Sequence, residues 1–206
     1  MKTFNQIQKK EAATWLIPNE KERREKAQRE SIRYPLLKKQ MGLDHLDTSD
    51  MIVFDIGAGP LGGVSSLLNA KEILRFDPLV YEYSKYYPCT NYLSDRAESL
   101  EERLSDADLI IVTNAMDHFE DPELFLGALS TFMKRGAFFA HLHAQNNALT
   151  HPHPAHVHNI NPDYLNYYLK DGFETVWYLD YKTDGLTYGW RKQPAFSGLY
   201  RKVNDD

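Results

Sequence analysis

The 206-residue chain predicts an α/β fold, a largely parallel and doubly wound sheet preceded by amino-terminal helices, on three observations. From residue 51, short unbroken apolar runs alternate with helical patterns, as in a parallel sheet covered on both faces. The first run passes directly into a glycine-rich stretch, "MIVFDIGAGPLGG" (51–63). The last two runs are joined by turn residues with no helix between them, which predicts an antiparallel edge.

Residues 1 to about 45 read as helices without strands. "EAATWLI" places Ala12, Trp15 and Leu16 at helical spacing, and Pro18 ends that segment. Asn19 is positioned to cap the next helix, with Glu22 three places on as its reciprocal partner. The mixed charges of "EKERREKAQRE" describe a solvated face. After residue 51, "MIVF", "EILRF", "DLIIVTN" and "AFFAHLH" read as strands, with "VSSLLNA", "VYEYSKYY" and "PELFLGALSTFM" as the helices between them. The helical "PDYLNYYLKDGF" then leads to strands in "TVWYLDYK" and "FSGLYRKV". The division expected is a helical cap or lid over residues 1–48 and a ligand-binding domain over 49–206, forming one structural unit.

Composition narrows the function. An apolar share of 42% and a charged share of 26% are ordinary for a soluble globular protein. The net charge of −5 argues against nucleic acid as a partner, because phosphate binding needs a local excess of Lys and Arg. Cys89 is the single cysteine, which excludes an internal disulfide and a Cys-based zinc site. The amino terminus lacks the apolar core of a signal peptide, and no run approaches the roughly 18 apolar residues of a membrane span. The expectation is a cytoplasmic protein with no membrane partner, whose oligomeric state the sequence leaves open.

Gly57, Gly59 and Gly62 fit G-x-G-x-x-G between a strand and a helix, where missing side chains let a ligand approach the backbone and the helix start offers unpaired N–H groups. Asp55 decides which ligand. A carboxylate beside the glycines would repel a pyrophosphate but suits a ligand that brings an ammonium, as S-adenosylmethionine does. Asp77 ends the next strand 20 residues after Gly57, the spacing at which an acid grips ribose hydroxyls.

Three blocks resemble the class I S-adenosylmethionine-dependent methyltransferases, in their small-molecule, type 11-like branch: "VFDIGAGP", "RFDPL" and "NAMDHFEDPELFL". The resemblance covers about residues 50 to 203. It implies a Rossmann-like, seven-stranded sheet whose last strand is inserted antiparallel, and S-adenosyl-L-methionine as the cofactor. The cofactor contacts it implies are Asp55, Gly57, Ala58, Gly59, Gly62, Asp77, Pro78 and Asn114. Glu98 joins them, with Asp95, from "YLSDRAESL", where Arg96 stands at a position often held by an acid. "NAMD" at 114–117 lacks the two prolines and the aromatic of enzymes that methylate flipped DNA bases, which points to a small-molecule acceptor.

Six of the eight histidines lie between 141 and 158. His141 and His143 share one face of a strand end, and His118 falls at the end of the neighbouring strand. If the acceptor is a hydroxyl, these three are the candidate general bases. The long segment 144–161 resembles the "P-x-H-x-H-x-F" region of small-molecule methyltransferases, with Pro154, His156 and His158 aligning. Asp117, His156, His158 and Trp15 are the candidate substrate contacts. Three roles stay open for the histidines: base or clamp, ordering of the lid, and metal ligation, although the resemblance implies an enzyme that works without a metal. The function expected is methyl transfer to a small molecule, with oxygen preferred over nitrogen or carbon. Non-catalytic cofactor binding in a regulatory subunit is the main alternative, and an NAD-dependent oxidoreductase the lesser one.

Overall fold

A computed structural model describes residues 4–144, 158–185 and 194–204. The strands are β1 (Ile52–Ile56), β2 (Glu72–Phe76), β3 (Tyr92–Leu93), β4 (Leu109–Thr113), β5 (Phe138–Ala144), β6 (Phe173–Asp180) and β7 (Ala195–Lys202). They form one seven-stranded sheet in the order β3-β2-β1-β4-β5-β7-β6. β7 runs antiparallel to both its neighbours, while β1 to β5 pair in parallel. The inserted strand β7 therefore lies inside the sheet and pairs antiparallel with the edge strand β6, in agreement with both the inserted strand that the resemblance implied and the antiparallel edge expected from the last two runs. No helix among the described residues is long and apolar enough to cross a membrane.

Three helices precede the sheet: α1 (Phe4–Trp15), α2 (Glu20–Ser31) and α3 (Tyr34–Gln40). The Asn19 side chain caps α2 by accepting from the Glu22 N–H at 3.3 Å. The amino-terminal segment does two jobs. Leu37 of α3 and Met41 and Leu43 beyond it pack against Val53, Leu109, Ile111 and Ala140, so they build one face of the sheet. Gly42 ends α3 at φ +71, and a Cβ there would stand 2.6 Å from the Trp177 ring, so both backbone and space demand glycine. Only α1 and α2 lie farther out.

Phe54, Ile56, Ile110 and Val112 point to the opposite face, where α5 (Pro122–Phe132) and α6 (Pro162–Leu169) cover them through Phe125, Leu129 and Leu165. Both helices open on proline behind a capping side chain, Asp121 accepting from Leu124 N–H and Asn161 from Tyr164 N–H. The predicted helix in "VSSLLNA" is a correction: it is a single 3₁₀ turn, Val64–Leu67. Gly62 and Gly63 both hold positive φ, so helical geometry starts late, and extended Leu68 ends it at once. The unpaired N–H groups of a long helix are therefore missing beside the glycine loop. The segment "VYEYSKYY" likewise gives one α-turn, α4 (Val80–Tyr83), followed by turns. A last short helix, α7 (Tyr181–Asp184), follows β6 behind the Asp180 cap.

Candidate functional site

The site lies at the carboxyl ends of β1, β2 and β4, where the loops that leave them converge. Beyond β1, Gly57 takes φ +70 and donates its N–H to Phe76 O at 2.8 Å, and a Cβ there would come within 2.4 Å of Ala115 Cβ. Gly59 is held from two sides: its N–H donates to Asp77 Oδ2 at 2.9 Å and its carbonyl accepts from the Tyr92 hydroxyl at 2.7 Å. Gly59 has φ +61, and a Cβ added there would meet no atom within 4 Å, which leaves room for a ligand. Gly62 has another reason to be glycine, because its Cβ would stand 2.6 Å from Arg75 Nε, and it faces neither cavity described below.

Two cavities meet here. A cleft runs past Gly57, Gly59, Asp77, Pro78, Glu98 and Asn114. A chamber extends from Asp55, Ala58 and Thr113 out to Trp15, Arg33 and Tyr34 of the amino-terminal segment. Glu11, Gly57, Gly59, Asn114 and His118 line both and so form the common wall. Helix α1 is held above that wall by the Tyr87 hydroxyl, which donates to Trp15 O at 3.0 Å, and by Ala12, which packs on Leu79 and Tyr83.

Two buried acids give the site its charge. Asp55 is 2% exposed, and burial pushes its carboxyl up to about 7, with the Ser65 hydroxyl and Arg75 acting in the other direction. Its Oδ2 is buried with no hydrogen-bond partner. Asp77 is pushed up by burial to about 6, although its Oδ1 accepts from Leu79 N–H and its Oδ2 from Gly59 N–H, both of which favour the carboxylate. Asp77 thus secures the glycine loop and keeps lone pairs for a hydroxyl. Glu98 Oε1 accepts from Asp121 N–H at 3.0 Å, which anchors the loop after β3 to the start of α5. Asn114 sits at φ +51, and its Oδ1 accepts from Ala144 N–H at 3.0 Å, joining β4 to β5.

The histidines separate. His118 lines both cavities, with Nδ1 3.9 Å from Glu11 Oε2 and Nε2 3.6 Å from Asp117 Oδ1. Asp117 itself is 4% exposed and lies behind His118, outside both cavities. His141 and His143 line neither cavity. They sit in an aromatic stack with Phe139, Phe196 and Tyr200. Burial lowers the basicity of both, His141 well below the ordinary range and His143 to about 4, so at neutral pH they are weak proton acceptors. His158 Nε2 contacts Phe119 O at 3.0 Å and lies off both cavities. His156 falls outside the described residues. Trp15 lines the chamber, where its indole N–H donates to Glu11 Oε1 at 3.2 Å. The sequence reading missed Glu11, although it stands one helical turn before Trp15 on the same face of α1, a spacing that could have found it.

The strand order, with an antiparallel seventh strand between β5 and β6, defines the fold of the class I S-adenosylmethionine-dependent methyltransferases. Among solved structures the chain is similar to the N-methyltransferase NodS from Bradyrhizobium japonicum WM9, at 14% identity and a TM-score of 0.57, over 85% of this chain and 97% of that one. It is also similar to a SAM-dependent methyltransferase from Methanosarcina mazei, at 16% identity and a TM-score of 0.57, over 78% of this chain and 96% of that one. A third similar structure is the [4+2]-cyclase SpnF, at 12% identity and a TM-score of 0.59, over 82% of this chain and 79% of that one. No protein-family model and no curated protein matches the chain. Such identities establish the fold, and the names they carry show that this fold hosts more than one reaction.

Proposed function

We propose that the chain is an S-adenosylmethionine-dependent methyltransferase whose acceptor is a small molecule seated in the chamber under α1 and α2. The observation that carries the reading is Asp55: a fully buried carboxylate with one unpartnered oxygen, in a corner cleared by glycines, is costly unless a cation completes it. The residues fit the cofactor. Asp55 would hold its ammonium, Asp77 its ribose hydroxyls, and the loop bearing Asp95 and Glu98 the far end of the cleft. When bound, S-adenosylmethionine supplies an electrophilic methyl group on a sulfonium. The chain then has to align the acceptor with that methyl, exclude water and take up a proton. Helix α1 with Trp15 covers the chamber, the common wall places the acceptor beside the cofactor cleft, and His118 is the one predicted base that lines that wall.

The preference for an oxygen acceptor rested on three histidines, of which two lie off the cavities. The reading is tested by thermal unfolding with S-adenosylhomocysteine and, separately, NAD. At 100 times its dissociation constant a ligand stabilises by about 2.7 kcal/mol, a rise in Tm of roughly 5–10 °C for a chain of this size. S-adenosylhomocysteine should produce that rise and NAD none. A chain that responds to neither, or only to NAD, is not this enzyme.

A further inference from the structure

We infer that the outer side of the glycine loop carries a second binding site, in which Arg75 takes the carboxylate of an organic acid. The inference is independent of the methyl-transfer reading. Gly57 and Gly59 face the two cavities, whereas Pro60, Leu61 and Gly62 of the same loop line a separate pocket with Arg75, Pro88, Thr90 and Tyr92. That pocket shares no lining residue with either cavity.

Arg75 is half-buried, and among the described residues its guanidinium has no hydrogen-bond or ion-pair partner. Asp55, its neighbour in register across β1 and β2, acts on it only through space. The Tyr92 ring flanks the guanidinium, with Cζ 5.8 Å from the ring centroid. The loop closes on Nε at Gly62, where a Cβ would stand 2.6 Å away. Nε is thus sealed without a partner, and the two terminal nitrogens are the donors that Arg75 presents to the pocket. A cation that has lost part of its hydration and gained no counterion is costly, and an anion in the pocket removes that cost.

The lining selects the anion. Pro60 and Pro88 have no N–H, Leu61 is apolar, and the Tyr92 hydroxyl donates its proton to Gly59 O. The side chains that bring donors are therefore Arg75 and Thr90. A carboxylate has two oxygens in one plane, which the terminal nitrogens of a guanidinium meet bidentately, and the Thr90 hydroxyl adds a third donor. Phosphate carries oxygens on all sides and would turn some of them, unsatisfied, toward proline and leucine. An apolar body behind the carboxylate suits the same walls. Such a carboxylate belongs to a free acid or to the end of a peptide chain, and its chemistry at Arg75 is the same in both.

The test is calorimetric titration of the full chain with benzoate, benzamide, inorganic phosphate, and acetyl-glycyl-phenylalanine with a free or an amidated carboxyl end. Benzoate should bind with a Kd of about 1 mM or below, and benzamide and phosphate at least tenfold more weakly. Tighter binding of the free-ended peptide than of benzoate assigns the carboxylate to a chain end, and the reverse assigns it to a free acid. Arg75→Gln should weaken benzoate tenfold or more, whereas Arg24→Gln on exposed α2 should leave it unchanged. Thr90→Glu, at an exposed position, sets a carboxylate of the chain itself beside Arg75. It should also weaken benzoate tenfold or more, which keeps the test decisive if Arg75→Gln misfolds. Saturating S-adenosylhomocysteine should leave benzoate affinity within threefold. No benzoate binding at about 10 mM, equal binding of benzamide or phosphate, an affinity that survives Arg75→Gln or Thr90→Glu, or displacement by S-adenosylhomocysteine overturns the inference.

Discussion

Replacing Asp55 with asparagine should stabilise the ligand-free protein above neutral pH and remove its grip on the cofactor. The size follows from the burial of the carboxyl. Its folded value is about 7 against an ordinary 3.8. Below pH 3.8 both folded and unfolded chains hold the proton, so this group contributes no pH dependence. As pH rises from there to 7 the unfolded chain ionises first, and folding stability falls. Above 7 the deficit is constant, about 4 kcal/mol at 1.36 kcal/mol per tenfold. Asparagine carries no such deficit. Asp55→Asn should therefore be more stable than wild type at pH 8, by up to about 4 kcal/mol or a Tm rise of roughly 10 °C, and the gap should close as pH falls toward 4. Calorimetric unfolding of both proteins without ligand, from pH 4 to 8, reads this difference directly. Comparison with wild type matters because buried His141 and His143 act in the opposite sense: their lowered values reduce stability as pH falls below 6.5. Equal stability of the two proteins at pH 8, or a gap that does not close in acid, would refute the burial argument. In the same protein S-adenosylhomocysteine should bind at least tenfold more weakly, since a charged partner for its ammonium is gone.

His118→Ala should lower turnover by tenfold or more while S-adenosylhomocysteine affinity, read by titration calorimetry, stays within threefold. His141→Leu, close in volume, removes two ring nitrogens that have no hydrogen-bond partner. It should raise Tm at pH 5.5 by the equivalent of about 1–3 kcal/mol and leave turnover within threefold, and a tenfold loss of turnover would place His141 in the chemistry after all. Gly57→Ala forces a Cβ against Ala115 at positive φ and should cost about 2–4 kcal/mol in urea unfolding. Gly59→Ala, with open space around its Cβ, should cost about 1–2 kcal/mol, yet it should weaken S-adenosylhomocysteine binding as severely.

The parts of the site legible in the sequence are those fixed locally. Asp55 and Asp77 end adjacent parallel strands, so their distance from the glycines along the chain is set by strand and loop length, and the structure brings both to the same edge. The strand pattern was readable because β4 is apolar on both faces and β1 and β5 are short, mostly apolar runs bounded by turn residues. The helix after the glycine loop was misjudged because its periodicity is apolar enough for a helix while two glycines at positive φ consume its first turn. The histidines were misjudged for a different reason. Alternation places His141 and His143 on one face, but which layer covers that face depends on β7, whose Phe196 and Tyr200 arrive from more than fifty residues away. Glu11 was overlooked because nothing near it in sequence says that α1 docks over the ends of β1 and β4, which Tyr87 and Leu79 decide.

The central claim is that a cationic adenosyl compound completes Asp55. A crystal structure of the protein with S-adenosylhomocysteine tests it most directly: the amino group should lie within hydrogen-bond distance of Asp55 Oδ2, the ribose beside Asp77, and the sulfur toward the wall that holds His118. An adenosyl ligand bound elsewhere, or one whose amino group avoids Asp55, would contradict the account.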